Sequence, residues 1–367
     1  MSEPVLVEVE ECASTQELAL ALYRAGHLPL WGGVLTRRQS AGRGRRGRQW
    51  ALAPGSLALT VVLPAPCAAS GQWPGTGGEP GLVPLRVALA VLDACGCEAL
   101  ELKWPNDIVV TLPVLSDAES LPGGGAPRER EAGHGLVGHL PGWGALRKLG
   151  GILCEVNQAP AGSGAGDALA GGAGGAGAGP GGEVEDRPEG AGAGPGGEVE
   201  DGTGGAGTGP GAAGDVVLAG IGINLAPFAP QAPQGGGAPP GQEAGGEGSE
   251  QGAPAAWAMS AAGAARALGD HQLERLSRQE PAELARRILH HLPATLALPA
   301  REVRERYQDR CATVGHRVQV TLAASGEPGP ADLAGTATGI AESGALLVAT
   351  RDGLKEVVAG DVSVRCG

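Results

Sequence analysis

Short apolar runs, alternating or continuous, recur along the first 225 residues and predict β-strands, because successive side chains of a strand point to opposite faces. They lie at 4–11 (PVLVEVEE), 33–39 (GVLTRRQ), 56–63 (SLALTVVL), 99–110 (ALELKWPNDIVV), 148–156 (KLGGILCEV) and 215–225 (DVVLAGIGINL). Proline cannot donate a hydrogen bond to a sheet, so Pro105 should break the fourth run. These runs are not separated by helices at regular intervals, which favours a mixed sheet backed by helices.

Two helices are predicted among these strands. Residues 16–26 (QELALALYRAG) place leucines on one side and end at a glycine, and residues 84–96 (PLRVALAVLDACG) have helical length and also end at a glycine. Ser14 is the expected cap of the first helix. Glu17, three residues later, would complete a capping box with it.

The pattern changes in the last third of the chain. Helical periodicity runs from 264 to 308, and short strands follow at 316–323, 331–341, 344–350 and 353–365, separated by turn residues. We therefore expect an α/β (α+β) fold with two domains. The larger is residues 1–310, and residues 311–367 form a small β-barrel that leans on it.

Three Gly/Ala/Pro-rich segments, 112–146, 159–213 and 226–258, are predicted to be disordered, because they cannot bury enough apolar area to offset the entropy of ordering them. They carry net charges of −2, −7 and −3, out of −13 for the whole chain. The acidity therefore belongs to these inserts and does not indicate a basic partner. Within the second insert, residues 175–186 recur at 190–201, which we interpret as sequence expansion.

The cysteines and the apolar runs limit the class of protein. Seven cysteines are scattered along the chain, and Cys95 and Cys97 form a C-x-C motif without a second pair, so reduced thiols are favoured over a zinc site. His134 and His139 are expected to be solvated. No apolar run approaches the length of a membrane helix, and no targeting segment is recognised at the start, so we expect a cytoplasmic protein.

The densest positive charge lies on the most flexible sequence, residues 42–48 (GRGRRGR). Glycines let the backbone approach a ligand, and guanidinium groups bind carboxylate or phosphate through paired hydrogen bonds. The stretch therefore predicts a loop that binds and releases an anion. An Arg/Gly segment that binds RNA is the alternative, but the run is single and has no Phe or Tyr interleaved for base stacking.

Three further motifs carry candidate polar groups. Lys103, Asn106 and Asp107 of KWPND lie where Pro105 ends a strand, so they can face a cleft; a simple turn with a capping aspartate is the alternative. Lys148 precedes two glycines and a buried strand, although an exposed lysine at a helix end would fit as well. Asn224 ends the apolar strand of GIGIN, where Gly220 and Gly222 leave room for a ligand or for close strand packing.

The order of these motifs resembles the biotin protein ligase family. STQ at 14–16, QSAGRGRRGRQW at 39–50, KWPND at 103–107, KLGGIL at 148–153 and GIGIN at 220–224 follow one another as in that family. The resemblance covers residues 5–310 without the inserts, and the terminal β region fits the family's SH3-like domain. It implies a class II aminoacyl-tRNA synthetase-like mixed sheet with helices. It also implies ATP-dependent ligation of biotin, through biotinyl-5′-AMP, to a lysine of a carboxylase's biotin carboxyl carrier domain.

The resemblance also implies roles for individual residues. Biotin would contact Ser14, Thr15, Gln39, Gly42, Arg43, Arg45, Lys148, Gly151 and Gly222. ATP would contact Arg43, Arg45, Trp50, Lys103, Asn106 and Asn224. Lys148, Arg45 and Asp107 would be catalytic, with Asp107 able to help hold Mg²⁺ that accompanies ATP.

The sequence departs from the family's pattern in a few places. The family usually has asparagine where Gln16 stands, and the stretch between KWPND and KLGGIL is longer than usual. No winged-helix segment precedes residue 5, so we expect no operator binding. We also expect no nucleic-acid partner, no membrane association, and a monomer or weak homodimer. A lipoate or octanoate ligase or transferase of the same superfamily is the alternative enzyme, and an inactive carrier-binding module is a further alternative.

Overall fold

A computed structural model describes residues 3–45, 50, 52, 54–65, 79–113, 143, 145–158, 215–226, 258–321, 333–358 and 360–365. All of these residues belong to one compact unit, Met1–Gln158 with Ala213–Gly367. Residues 159–212, which include the repeat at 175–201, lie outside the described residues, as do His134, His139 and most of the predicted inserts 112–146 and 226–258.

The N-terminal part forms a seven-stranded mixed sheet, as the patterning predicts. Its strands are β1 (Leu6–Cys12), β2 (Gly33–Gln39), β3 (Leu57–Pro64), β4 (Glu101–Lys103), β5 (Asp107–Thr111), β6 (Leu146–Asn157) and β7 (Val216–Ile223). The order across the sheet is β1-β2-β3-β7-β6-β5-β4. β1 and β2 pair in parallel around the connecting helix α1 (Thr15–Arg24), and the other neighbours pair antiparallel.

Helices cover both faces of this sheet, because the alternation of side chains along its central strands sends apolar groups to each side. Val62 and Leu218 pack against α1, whereas their neighbours Val61 and Val217 belong to the main core. That core also includes apolar side chains of α2 (Val83–Cys95), α3 (Ala261–Leu268), α4 (His271–Ser277), α5 (Pro281–Leu296) and α6 (Ala300–Asp309). Among the described residues, no helix combines the length and apolarity needed to span a bilayer.

The C-terminal strands form a five-stranded antiparallel sheet in the order β11-β10-β9-β8-β12. These are β8 (Arg317–Thr321), β9 (Leu333–Ile340), β10 (Leu346–Thr350), β11 (Gly353–Val357) and β12 (Asp361–Arg365), so the run predicted at 353–365 contains two strands. The buried indole of Trp104 donates from Nε1 to the carbonyl of Gly344, 3.1 Å away. The turn between β9 and β10 is thereby joined to the larger sheet.

Two predictions about local structure are wrong. The side chain of Ser14 caps no backbone N–H of α1, so the Ser14–Glu17 capping box does not form. Gln39 replaces it, because its Oε1 accepts from the backbone N–H of Thr15 at 2.9 Å. The predicted insert 112–146 also extends too far at both ends, since Leu112 and Leu146 are buried in the core. Leu112 follows β5 and Leu146 begins β6, and composition alone does not indicate that paired strands bury these residues.

Candidate functional site

A cavity of about 190 Å³ lies on the α1 side of the sheet, beside the loop that follows β2. Its described lining comes from segments far apart in sequence. The lining residues are Ser14, Thr15, Gln16, Gln39, Arg43, Gly44, Arg45, Trp50, Ala58, Leu59, Asn106, Asp107, Trp143, Lys148, Gly151, Ile152, Leu153, Gly220, Ile221 and Gly222. Five predicted motifs therefore meet at one cavity.

One wall of the cavity carries a chain of hydrogen bonds between polar side chains. Thr60 donates from Oγ1 to Thr15 Oγ1 at 2.8 Å, and Thr15 donates in turn to Gln39 Oε1 at 3.1 Å. Because Oε1 of Gln39 accepts two bonds from Thr15, the orientation of its amide is fixed with Nε2 as the remaining donor. The wall therefore offers an N–H donor in a fixed direction.

Gln16 stands beside this chain, and it is 5% exposed. Its Nε2 donates to the carbonyl of Leu153 at 3.1 Å, which connects the start of α1 to β6. Gly220 makes room for this amide, because a Cβ at Gly220 would lie 2.9 Å from Nε2. The glutamine that departs from the family's usual asparagine thus has a structural contact in this protein.

Trp50 covers the glycine floor of the cavity. A Cβ built on Gly222 would lie 2.4 Å from Cε2 of the indole, and one built on Gly151 would lie 3.4 Å from Cζ3. No real side chain tolerates the first distance, so only glycine at position 222 allows the ring to lie where it does. The requirement for glycine here comes from approach of a side chain, in addition to strand packing.

A row of three buried charges follows the β4–β5 turn. Asp107 Oδ1 lies 2.6 Å from Lys148 Nζ, and Asp107 Oδ2 lies 3.9 Å from Lys103 Nζ. Lys148 belongs to β6 and is largely buried, which rules out an exposed position at a helix end. Burial, with added repulsion from nearby groups including Asp107, raises the pKa of Tyr307 well above its ordinary value, so this phenol stays neutral below the row.

The two described arginines of the glycine-rich loop have different contacts. Arg45 donates from Nη1 to Asn106 Oδ1 at 3.2 Å, and Asn106 donates from Nδ2 to the carbonyl of Ile152 at 2.8 Å. Arg43 is more exposed and pairs with Glu17 at 3.0 Å and Glu155 at 3.9 Å. Arg45 is therefore fixed to the KWPND turn, whereas Arg43 connects the loop to α1 and β6.

Three predicted site residues lie outside the lining. Gly42 is buried against Gln39 and Trp50, and Lys103 lies behind the cavity surface. Asn224 is buried, and its backbone N–H donates to the carbonyl of Leu149 at 2.8 Å. Its Oδ1 has no hydrogen-bond partner within the described part of the chain. The remaining predicted residues, from Ser14 to Gly222, all line the cavity.

The described lining has excess positive charge. Arg43, Arg45 and Lys148 face it with Asp107 as the single acid, and Lys103 adds a further ammonium behind it. Such a cavity attracts anions, because opposite charges within a few ångströms stabilise each other strongly where water is excluded. Among the described residues, no group of three or more His, Cys, Asp or Glu side chains could hold a metal ion.

Comparison with known proteins matches two regions of the chain to family models. The sequence model of the biotin/lipoate A/B protein ligase family matches residues 13–162, and that of the biotin protein ligase C terminal domain matches residues 317–365. The chain belongs to the biotin protein ligase family. A curated member, a biotin–[acetyl-CoA-carboxylase] ligase from Paracoccus denitrificans, is 40% identical over 82 residues, which is 21% of this chain and 31% of that relative. The aligned part thus spans about a third of the relative's length.

Solved structures share the fold. A biotin protein ligase from Aquifex aeolicus in complex with biotin and ATP superposes with a TM-score of 0.51 and 17% identity, covering 99% of each chain. A mutant of that protein in complex with biotin gives a TM-score of 0.50 with 16% identity, again covering 99% of each chain. These structures place the larger mixed sheet and the C-terminal sheet of this chain in the architecture of biotin protein ligases.

Sequence reasoning missed several residues of this family member's site. Trp143 lies in a segment predicted to be disordered, so nothing marked it as part of a cavity. The sequence pattern marks Glu17 only as part of a capping box, and Glu155 has the pattern of an ordinary charge in a strand. An i-to-i+3 spacing on a helix cannot reveal that Glu17 pairs with an arginine 26 residues away in the loop. These contacts depend on tertiary structure.

Proposed function

We propose that this protein ligates biotin to a lysine of a carboxylase's biotin carboxyl carrier domain, using ATP and a biotinyl-5′-AMP intermediate. The observation that carries the proposal is the meeting of Arg45, Asp107 and Lys148 at one cavity with an amide-lined wall. A carboxylate and a polyphosphate are both anions, and this cavity concentrates cations where the two would meet. Membership in the family supplies the reaction class.

The polar wall suits the ureido ring of biotin. Gln39 presents an amide N–H whose direction is fixed by Thr15, and a urea carbonyl is a strong acceptor for such a donor. Ser14, Thr15 and Gln39 are therefore assigned to the ureido end. The rest of the molecule would lie against the indole of Trp50, which covers the floor formed by Gly151 and Gly222, with the biotin carboxylate directed toward Lys148.

The first step joins the biotin carboxylate to the α-phosphorus of ATP. A carboxylate oxygen forms the new O–P bond while the bond to the departing pyrophosphate breaks. Lys148 and Arg45 lower the barrier by neutralising charge on the reacting groups, and Asp107 keeps the Lys148 ammonium in place at 2.6 Å. In the second step the neutral amine of the acceptor lysine attacks the acyl carbon, AMP leaves, and the amine loses a proton to solvent.

Magnesium is part of the ATP substrate in this scheme. The described cavity offers one carboxylate, and that carboxylate already contacts two ammonium groups, so it does not form an all-protein magnesium site. Magnesium commonly binds through one or two carboxylates together with substrate phosphates and water. Asp107 is therefore proposed as a contact to Mg·ATP, with most ligands supplied by the triphosphate.

The glycine-rich loop protects the reactive intermediate. An acyl-adenylate hydrolyses readily, so water must be kept away until the acceptor arrives. Arg43 ties the loop to Glu17 of α1 and Glu155 of β6, and Arg45 donates to Asn106. Positive charge and a flexible backbone are needed together, because the loop must grip an anion and later open.

A biotin-dependent exchange of labelled pyrophosphate into ATP tests the first step. The purified full-length protein with Mg·ATP is expected to exchange label only when biotin is present, because adenylation must occur before it can reverse. Octanoate and lipoate serve as matched acids. Exchange that is supported by lipoate and not by biotin would overturn the assignment in favour of the lipoate-type enzyme.

Replacing Arg45 with alanine is expected to slow biotin-dependent exchange by about 10- to 100-fold, the range for removing a hydrogen bond to a charged group. The variant should also release more free biotinyl-5′-AMP into solution, because the loop loses its contact with Asn106. Arg38→Ala is the matched control, since Arg38 pairs with Glu11 and does not line the cavity. Wild-type rates and retention in Arg45→Ala would remove Arg45 from the mechanism.

The same observations favour a biotin ligase over a lipoate-type enzyme and over an RNA-binding protein. The dithiolane ring of lipoate has no carbonyl to accept from Gln39, so the polar wall favours biotin. An Arg/Gly RNA-binding segment would present its arginines to solvent, whereas Arg45 is directed to Asn106. We propose a cytoplasmic protein that acts as a monomer or weak homodimer, with the carrier domain as its protein partner and no nucleic-acid or membrane partner.

A further inference from the structure

Trp143 is an aromatic side chain of the cavity that comes from the long stretch between β5 and β6. It lines the cavity, and the centre of its ring lies 4.4 Å from Nζ of Lys103. A cation at this distance from an indole face is attracted by the negative potential of the ring. The contact is therefore a cation–π interaction with one of the three charges in the buried row.

Lys103 is 5% exposed, so its ammonium depends on the groups that contact it. Its carboxylate neighbour, Asp107, lies 3.9 Å away, which is long for a charged hydrogen bond. Removing an ammonium from water is costly unless other groups stabilise it. The indole supplies stabilisation on a second side of this ammonium.

The surroundings of Trp143 hold the ring in place. It packs against a small cluster made of Val109 in β5, Leu146 in β6, Ala312 and Val364 in β12. Its carbonyl accepts from the backbone N–H of Leu146 at 2.9 Å. Both sheets therefore contribute to fixing this indole, and a fixed ring can fix the ammonium that contacts it.

The contacts continue from Trp143 to the reacting side of the cavity. In this row Lys103 contacts Asp107, and Asp107 Oδ1 lies 2.6 Å from Nζ of Lys148. Nζ of Lys148 in turn lies 5.5 Å from the centre of the Trp50 ring. Two indoles thus flank a row of alternating charge. A shift of Lys103 would be transmitted to Asp107 and from there to Lys148.

We propose that Trp143 is a positioning residue for biotin adenylation, which holds Lys103 and, through Lys103 and Asp107, the ammonium of Lys148. This inference rests on the proposed function, because it assigns Lys148 to the reacting carboxylate. Trp143 contacts the row from the segment that connects β5 to β6.

A substitution series in the full-length protein tests the proposal by biotin-dependent pyrophosphate exchange. Trp143→Leu keeps apolar bulk but removes the π face, and it is expected to lower kcat/KM by about threefold to thirtyfold, the range of a cation–π contact. Trp143→Phe retains an aromatic face, so the logarithm of its loss in kcat/KM should be at most half of that for Trp143→Leu. Trp31→Leu is the control, because it makes the same substitution at a tryptophan that does not line the cavity.

A double-mutant cycle separates positioning from simple packing. If Trp143 acts through Lys103, then Trp143→Leu should cost less than twofold in a Lys103→Met background, because the partner is already gone. Full additivity of the two losses, or equal losses in the Leu and Phe variants, would overturn the proposal. If Lys103→Met leaves no measurable exchange, the Leu and Phe comparison decides alone.

The failure of this inference can be distinguished from failure of the proposed function. If the wild-type protein catalyses no biotin-dependent exchange, then the proposed function is wrong, and this inference falls with it. If the wild type is active and Trp143→Leu matches it, then only the positioning role of Trp143 is wrong.

Discussion

Replacing Lys148 with methionine is expected to lower the rate of biotin adenylation by about 10²- to 10³-fold, as seen when one donor to a developing anion is removed. Methionine keeps the length and apolar stem of lysine and removes the charge. The cavity then retains Asp107 without its nearest cation, which lies 2.6 Å away in the intact protein. The reacting carboxylate therefore loses a positive charge beside it and is also repelled by the carboxylate of Asp107, which is no longer neutralised by Lys148.

Single-turnover formation of biotinyl-5′-AMP is the measurement for Lys148→Met, and biotin and ATP are used at saturating concentrations. Lys355→Met is the matched control, because Lys355 is exposed on β11 of the C-terminal sheet. Lys103 remains beside Asp107 in the variant, so a folded protein is expected, which the near-ultraviolet circular dichroism spectrum can check. A folded Lys148→Met protein with a wild-type rate would exclude Lys148 from catalysis.

Replacing Trp104 with alanine is expected to lower the free energy of unfolding by about 3–5 kcal/mol, the usual cost of removing a large buried aromatic side chain. Trp104 is 1% exposed, and its Nε1 donates to the carbonyl of Gly344. Its backbone N–H donates to Thr313 Oγ1 at 3.0 Å, just before the C-terminal strands. The variant therefore loses core volume and a contact that joins the two sheets.

Urea denaturation followed by circular dichroism measures this loss, with the full-length variant compared to the wild type. Trp104→Phe is the graded control, because it keeps most of the ring and removes the donor; it should cost about 1–3 kcal/mol, since the carbonyl of Gly344 is left without this bond. An alanine variant as stable as the wild type would show that the two sheets do not depend on Trp104.

The fold was predictable where local pattern determines it. The apolar runs from 4–11 to 215–225 formed the strands of the larger sheet, with the run at 99–110 divided into two strands around Pro105. The glycine after residue 95 ends α2 in the left-handed conformation. Prediction of local structure failed where a group's partner lies far away in the sequence. The N–H of Thr15 is satisfied by Gln39, which is 24 residues away, and such a partner cannot be read from the spacing of a capping box.

The candidate site was predictable through motifs whose residues face the cavity in the fold. Most of the predicted residues line it, because strand ends and the loop after β2 meet there. Gly42, Lys103 and Asn224 do not line it, and for the latter two the direction of the side chain depends on packing between strands. Trp143 was missed because glycine-rich composition around it hid an indole that only the tertiary structure holds against Val364.

In the proposed reaction, the cations of this cavity promote the transfer of biotin to a carrier lysine through an activated intermediate. Incubating the purified protein with labelled biotin and a biotin carboxyl carrier domain, with and without Mg·ATP, tests it most directly. We expect covalent label on the carrier domain only with ATP, and none on a carrier whose acceptor lysine is replaced by arginine. Label that appears without ATP, or no label on any carrier despite bound biotin, would contradict the account.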